Sequence, residues 1–171
     1  MSKLTARIGF GKYEADEYYR IALDAFRRNK LTDAIQNINY ALMLIPANPE
    51  FLSVRAFFYL EDGVLDKCED DVNAALKSNP YEVLANYCKG ILHYQRREWQ
   101  EAKQFFLNAW AVDPQRAETQ YYLGLVHYRV EDYPNALRWM RQARTLLEKQ
   151  EDKTRLRDAD SWIGELERLA R

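Results

Sequence analysis

The sequence predicts an all-α fold, four similar helix pairs followed by one further helix, and three observations predict it. Apolar residues return every three or four positions, as in Leu84, Tyr87, Ile91 and Tyr94 and again in Phe105, Phe106, Ala109 and Val112, which is the period of a helix with one buried face. Laid over itself with an offset of 34, the chain aligns Ala22, Ala56, Gly90 and Gly124, then Ala34, Cys68, Ala102 and Ala136, then Ala41, Ala75, Ala109 and Ala143. All three columns hold only small residues, which is what helices crossing at close range require. Pro46, Pro80 and Pro114 form a fourth column at the same spacing, and no alternating strand pattern competes.

Taken in order, residues 1–14 read as an N-terminal arm, because Gly9 and Gly11 around Phe10 make a poor helix. Helix pairs follow at 15–28 with 32–45, 49–61 with 65–78, 81–96 with 99–112, and 117–130 with 133–148. Asn29, Gly63, Arg97 and Glu131 fall in the short turns inside the pairs. Asn48-Pro49, Asn79-Pro80 and Asp113-Pro114 each read as a cap followed by the first residue of a new helix, where a missing N–H costs nothing. Residues 151–171 carry an apolar stripe of Leu156, Ala159, Ile163 and Leu166, with Trp162 to one side, and read as a helix covering the end of the array.

The ordered small, large and proline columns over residues 15–148 resemble the tetratricopeptide repeat (TPR) family. The chain departs from that pattern where a late first-helix tyrosine is replaced by Ala25, His93 and His127, and where Glu148 stands in place of the fourth proline. The resemblance implies a right-handed α-solenoid with repeats at 15–48, 49–82, 83–116 and 117–150, whose first helices line a concave surface. Carried onto this sequence, the inward positions include Tyr19, Phe26, Phe57, Tyr87, Ile91, Tyr94, Tyr121, Leu125, Tyr128 and Arg129. These are the candidate partner-binding residues, expected as an exposed aromatic groove. Leu23, Phe57, Ile91 and Leu125 occupy a slot where the family often carries an asparagine that bonds a ligand backbone. Family members that clamp the C-terminal carboxylate of heat-shock chaperones use lysine, asparagine and arginine at slots that here read Tyr19 and Leu23, Val54, and Leu84 and Cys88. None can pair with a carboxylate, so that role is not expected.

Composition sets the remaining limits. Lys and Arg number 25 against 26 Asp and Glu, so the net charge of −1 gives no reason to expect nucleic acid as a partner. The longest apolar runs are too short to span a bilayer, and the N-terminus lacks a secretory signal, so a cytoplasmic protein without direct membrane insertion is expected. Cys68 and Cys88 have neither disulfide-framework nor metal spacing. His93 and His127 share one repeat slot and read as packing residues. The acidic run around Glu61, Asp66 and Asp71 lacks calcium-loop spacing and reads as a solvated face. With no Walker loop, no Gly-x-Ser-x-Gly and no His-Glu-x-x-His, the expectation is a non-enzymatic, cofactor-free adaptor or assembly factor that holds a peptide or helix of a partner protein. The alternatives are a self-assembling scaffold, hence a homo-oligomer, and a chaperone for a secreted or membrane-associated client.

Overall fold

The structure is a computed structural model that describes the backbone of residues 3–169 and the side chains of residues 11–169. Among these residues there are nine helices and no strand. They run α1 (Lys3–Arg27), α2 (Leu31–Leu44), α3 (Pro49–Glu61), α4 (Leu65–Ser78), α5 (Val83–Gln95), α6 (Trp99–Val112), α7 (Ala117–Arg129), α8 (Tyr133–Lys149) and α9 (Lys153–Leu169). The chain divides within α5 into two compact units, Met1–Cys88 and Lys89–Arg171.

All twelve small-column residues are buried. In the first unit Ala22, Ala34 and Ala41 join Ile38, Phe51 and Phe58 in one apolar core, and fully burying a ring such as Phe51 or Phe58 is worth roughly 1.5–3 kcal/mol. In the second unit Gly90 lies directly under Phe106, so close that a Cβ there would come within 2.5 Å of the ring. Gly124 is less constrained, because a Cβ would first meet the flexible end of Met140 at 3.1 Å.

Each pair closes through the same turn. Asn29, Gly63, Arg97 and Glu131 all have positive φ, from 58° to 75°, and the next residue's N–H reaches back to the carbonyl five positions earlier. These bonds are Lys30 to Ala25, Val64 to Tyr59, Glu98 to His93 and Asp132 to His127, at 2.9–3.0 Å. That left-handed residue with its long backward bond is a Schellman ending, and it folds the chain back on itself. A fifth copy, Glu151 with φ 58° and Asp152 bonded to Leu147 at 3.1 Å, joins α8 to α9.

The proline column has a different role from the one its sequence suggests. Of Pro49, Pro80 and Pro114, only Pro49 opens a helix, with Asn48 Oδ1 accepting from Glu50 and Phe51 N–H at 2.9 and 3.2 Å. Pro80 and Pro114 lie three residues before α5 and α7. With Pro46 they take the second position of four-residue turns closed by Asn48 N–H to Ile45, Glu82 to Asn79 and Arg116 to Asp113, a position that suits proline's fixed φ. The carbonyls of Pro80 and Pro114 each accept a bond from an amide side chain six residues on, Asn86 at 2.9 Å and Gln120 at 2.7 Å. Those two amides are almost wholly buried, and they pin each turn to the helix that follows.

Two further expectations are corrected. Residues 3–14, read as an arm, are helical as the first part of α1; each glycine costs about 1 kcal/mol relative to alanine, and elongating an existing helix supplies a backbone bond per residue. The Phe10 side chain lies outside the described residues. Asp71 is not on a solvated face: it is 6% exposed and takes a two-pronged ion pair from Arg55, Nε and Nη2 at 2.7 Å, while Arg55 Nη1 donates to Asn39 Oδ1 at 2.8 Å. In α9, Ala159 and Leu166 are buried in the second unit's core beside Met140 and Leu147, and Leu156, Trp162 and Ile163 pack against it partly buried.

This packing makes two substitutions informative. Gly90→Ala should be less stable than Gly124→Ala by about 1–3 kcal/mol in urea unfolding, since only the former drives a methyl into a fixed ring. Arg55→Leu, which strands the buried Asp71 carboxylate, should cost about 3–5 kcal/mol, and the double variant Arg55→Leu, Asp71→Leu should recover most of that loss.

Candidate functional site

The candidate residues all stand on the first helix of a pair, and each unit holds its own set. In the first unit Tyr19 is half-buried against Phe51, ring centroids 5.0 Å apart, and donates its hydroxyl to Glu50 Oε1 at 2.8 Å. Burial, reinforced by that bond, pushes the Tyr19 phenol well above its ordinary pKa. Phe26 sits between Phe57 at 5.4 Å and Phe58 at 5.0 Å. Phe26 and Phe57 keep part of their rings open to solvent. Tyr87 does not, being only 7% exposed.

In the second unit Ile91 and Leu125 are likewise buried, 5% and 8% exposed. The expected exposed groove therefore loses three members, Tyr87, Ile91 and Leu125. Tyr94, Tyr121 and Tyr128 are half-buried and engage further rings. Tyr94 meets Trp99 and Tyr122 edge-on at 5.2 and 5.6 Å. Tyr121 meets Tyr122 at 5.9 Å; burial raises the Tyr121 phenol against an opposing bond from Trp162. Tyr128 lies between Trp162 at 4.9 Å and Tyr133 at 6.1 Å. Tyr128 also lines a hollow of about 300 Å3 with Ser161, Trp162, Glu165 and Arg168. Arg129 is exposed and donates Nε–H to the Tyr94 hydroxyl at 3.2 Å.

Trp99, Tyr122 and Tyr133 were not anticipated as part of this surface. Two were findable, since Trp99 and Tyr133 are 34 residues apart and each is the first residue of a second helix. Tyr122 follows Tyr121 and carries no separate signal.

The two histidines form a repeated linkage. His93 Nδ1 lies 2.5 Å from Glu98 Oε2 and His127 Nδ1 2.9 Å from Asp132 Oδ2, so each ring ties the end of a first helix to the cap of the second. His93 also stacks on Phe105, centroids 5.1 Å apart. Asp132 caps α8 by accepting from Asn135 N–H at 3.3 Å. Burial raises the Asp132 pKa, but the bonds from Asn135 and His127 outweigh it and hold the carboxyl below its ordinary value. Among the described residues, no group of three or more His, Cys, Asp or Glu gathers as a metal site, and no helix is long and apolar enough to cross a membrane. Cys68 and Cys88 are buried thiols and form no disulfide with each other.

A chain of helix pairs with Schellman turns, small-residue crossings and a proline turn between pairs is an all-α solenoid of the TPR fold, and solved structures agree. The chain is similar to PilF of Pseudomonas aeruginosa, with a TM-score of 0.69 at 18% identity over 91% of this chain and 77% of that one. It is similar to a thermophilic TPR protein of Thermus thermophilus, with a TM-score of 0.71 at 20% identity over 89% and 80% of the two chains. It is also similar to the first TPR domain of Spaghetti (RPAP3), solved with an HSP90 peptide bound, with a TM-score of 0.63 at 20% identity over 70% and 97%. Identities at this level establish the fold alone. No protein-family model and no curated protein matches the sequence.

The capping role of Asp132 has a testable sign. Its pKa is lowered on folding, so its contribution is present above the ordinary carboxylate range and fades as pH falls through it. Asp132→Ala should cost about 1 kcal/mol at neutral pH, and the gap from wild type should close between about pH 5 and pH 3, read by urea unfolding at each pH.

Proposed function

We propose that this chain is a non-enzymatic protein-interaction module that holds an apolar-anchored peptide or helix of another polypeptide on the faces of its first helices, as an adaptor or assembly factor. One observation carries the reading: half-buried rings recur on these helices, Tyr19, Phe26 and Phe57 in one unit and Tyr94, Tyr121 and Tyr128 in the other. A ring held by neighbours yet open on one side offers a large contact area at little entropic cost. The TPR domain solved with an HSP90 peptide supports polypeptide capture as a use of this fold. A clamp for a C-terminal carboxylate is not part of the proposal, since Tyr19 gives its hydroxyl to Glu50 and Val54 and Cys88 are buried.

The test uses variants that leave the buried residues alone. Tyr19→Ala with Tyr121→Ala should keep its helicity by circular dichroism and lose at least about tenfold in retention of the partners that the wild-type chain captures. Unchanged retention contradicts the reading. Light scattering of the purified chain should show a monomer independent of concentration; a stable oligomer favours the scaffold alternative instead.

A further inference from the structure

Several described arginines of the second unit sit on carboxylates: Arg141 on Glu167, Arg144 on Asp160 and Glu148, Arg155 on Glu118 and Asp152, and Arg168 on Glu165. Arg129 is built differently. Its Nε–H goes to the Tyr94 hydroxyl at 3.2 Å, and its Cζ lies 5.9 Å from the Trp99 ring centroid and 5.8 Å from that of Tyr128. Among the described residues no carboxylate is within ion-pair distance of it; Glu98 is taken by His93, Asp132 by His127, and the exposed Glu131 does not reach it. The rings and the phenol hold the guanidinium of this exposed residue, leaving both Nη groups without a described acceptor.

A pre-positioned guanidinium of this kind suits a carboxylate, because its two terminal nitrogens form a fork that matches two carboxylate oxygens and the ordering cost is already met by the rings. Tyr128 extends the site, since the same ring lines the hollow of about 300 Å3 beside Trp162, large enough for one apolar side chain. We infer that Arg129, held by Tyr94, Trp99 and Tyr128, binds an aspartate or glutamate side chain of the captured polypeptide, with the adjoining hollow taking a bulky apolar neighbour of that acid. The inference rests on the reading of the previous subsection and names the chemistry of the segment captured.

The test is a nuclear magnetic resonance titration of the full chain with the blocked peptide Gly-Asp-Glu-Leu-Phe-Glu-Gly and with its amide counterpart, in which Asn and Gln replace Asp and Glu. The acidic peptide should shift the Trp99 indole N–H and the Arg129 Nε–H signals and bind at least about tenfold more tightly than the amide peptide. Arg129→Gln should remove that preference, whereas Arg138→Gln, on α8, should keep it. Equal binding of the two peptides, or a preference that survives Arg129→Gln, overturns the inference while leaving polypeptide capture in place. So does the absence of any shift at Trp99 and Arg129, in which case the retention experiment with Tyr19→Ala and Tyr121→Ala decides the broader reading separately. Shifts of the same signals with protein concentration alone would assign the site to a second copy of the chain and also overturn it.

Discussion

Close approach of two helices within a pair is the constraint from which the rest of this structure follows. It is enforced by twelve buried small residues in three columns, and it is tightest at Gly90, where the Phe106 ring occupies the space a Cβ would need. Helices held that near must be joined by a very short reversal. A single left-handed residue with a backward bond from its successor provides it, and the same solution appears at Asn29, Gly63, Arg97, Glu131 and Glu151. Because the geometry recurs, a residue type at one repeat position meets the same surroundings 34 residues later. The paired linkages of His93 with Glu98 and His127 with Asp132 are a direct consequence.

That recurrence also distributes the aromatic residues. Rings one position apart on a helix have different fates: Phe58 is sealed in the first unit's core at 1% exposed, while Phe57 stays half open. Rings on the open side lean on one another and on second-helix residues such as Trp99 and Tyr133. The surface is thus held in place before any partner arrives, which reduces the entropy lost on binding. Arg129 shares this property, its guanidinium being fixed by a phenol and two ring faces.

Helix positions and the turns inside the pairs were legible in the sequence because a 34-residue period samples each position several times. What a single position does was less legible. Pro80 and Pro114 look like helix openers beside Asn79 and Asp113, yet the chain uses them as turn residues, because Asn86 and Gln120 claim their carbonyls. Asp71 lies in an acidic run and was indistinguishable from its exposed neighbours until Arg55, sixteen residues earlier, was seen to pair with it. Burial of Tyr87, Ile91 and Leu125 depends on which side of a first helix faces other helices, and inward slots carried over from a resemblance do not resolve core from surface at that scale. The helix over residues 3–14 was hidden by two glycines, whose local cost is outweighed by continuity with the strongly helical segment after them.

Site-specific photocrosslinking in cells tests the central claim most directly, with benzoylphenylalanine placed in turn at Phe57 and Tyr128 on first helices and at the exposed Met43 on a second helix. Capture on the first helices predicts adducts with another polypeptide from Phe57 and Tyr128 and none from position 43. Adducts from position 43 alone, or adducts only between copies of this chain, would contradict it.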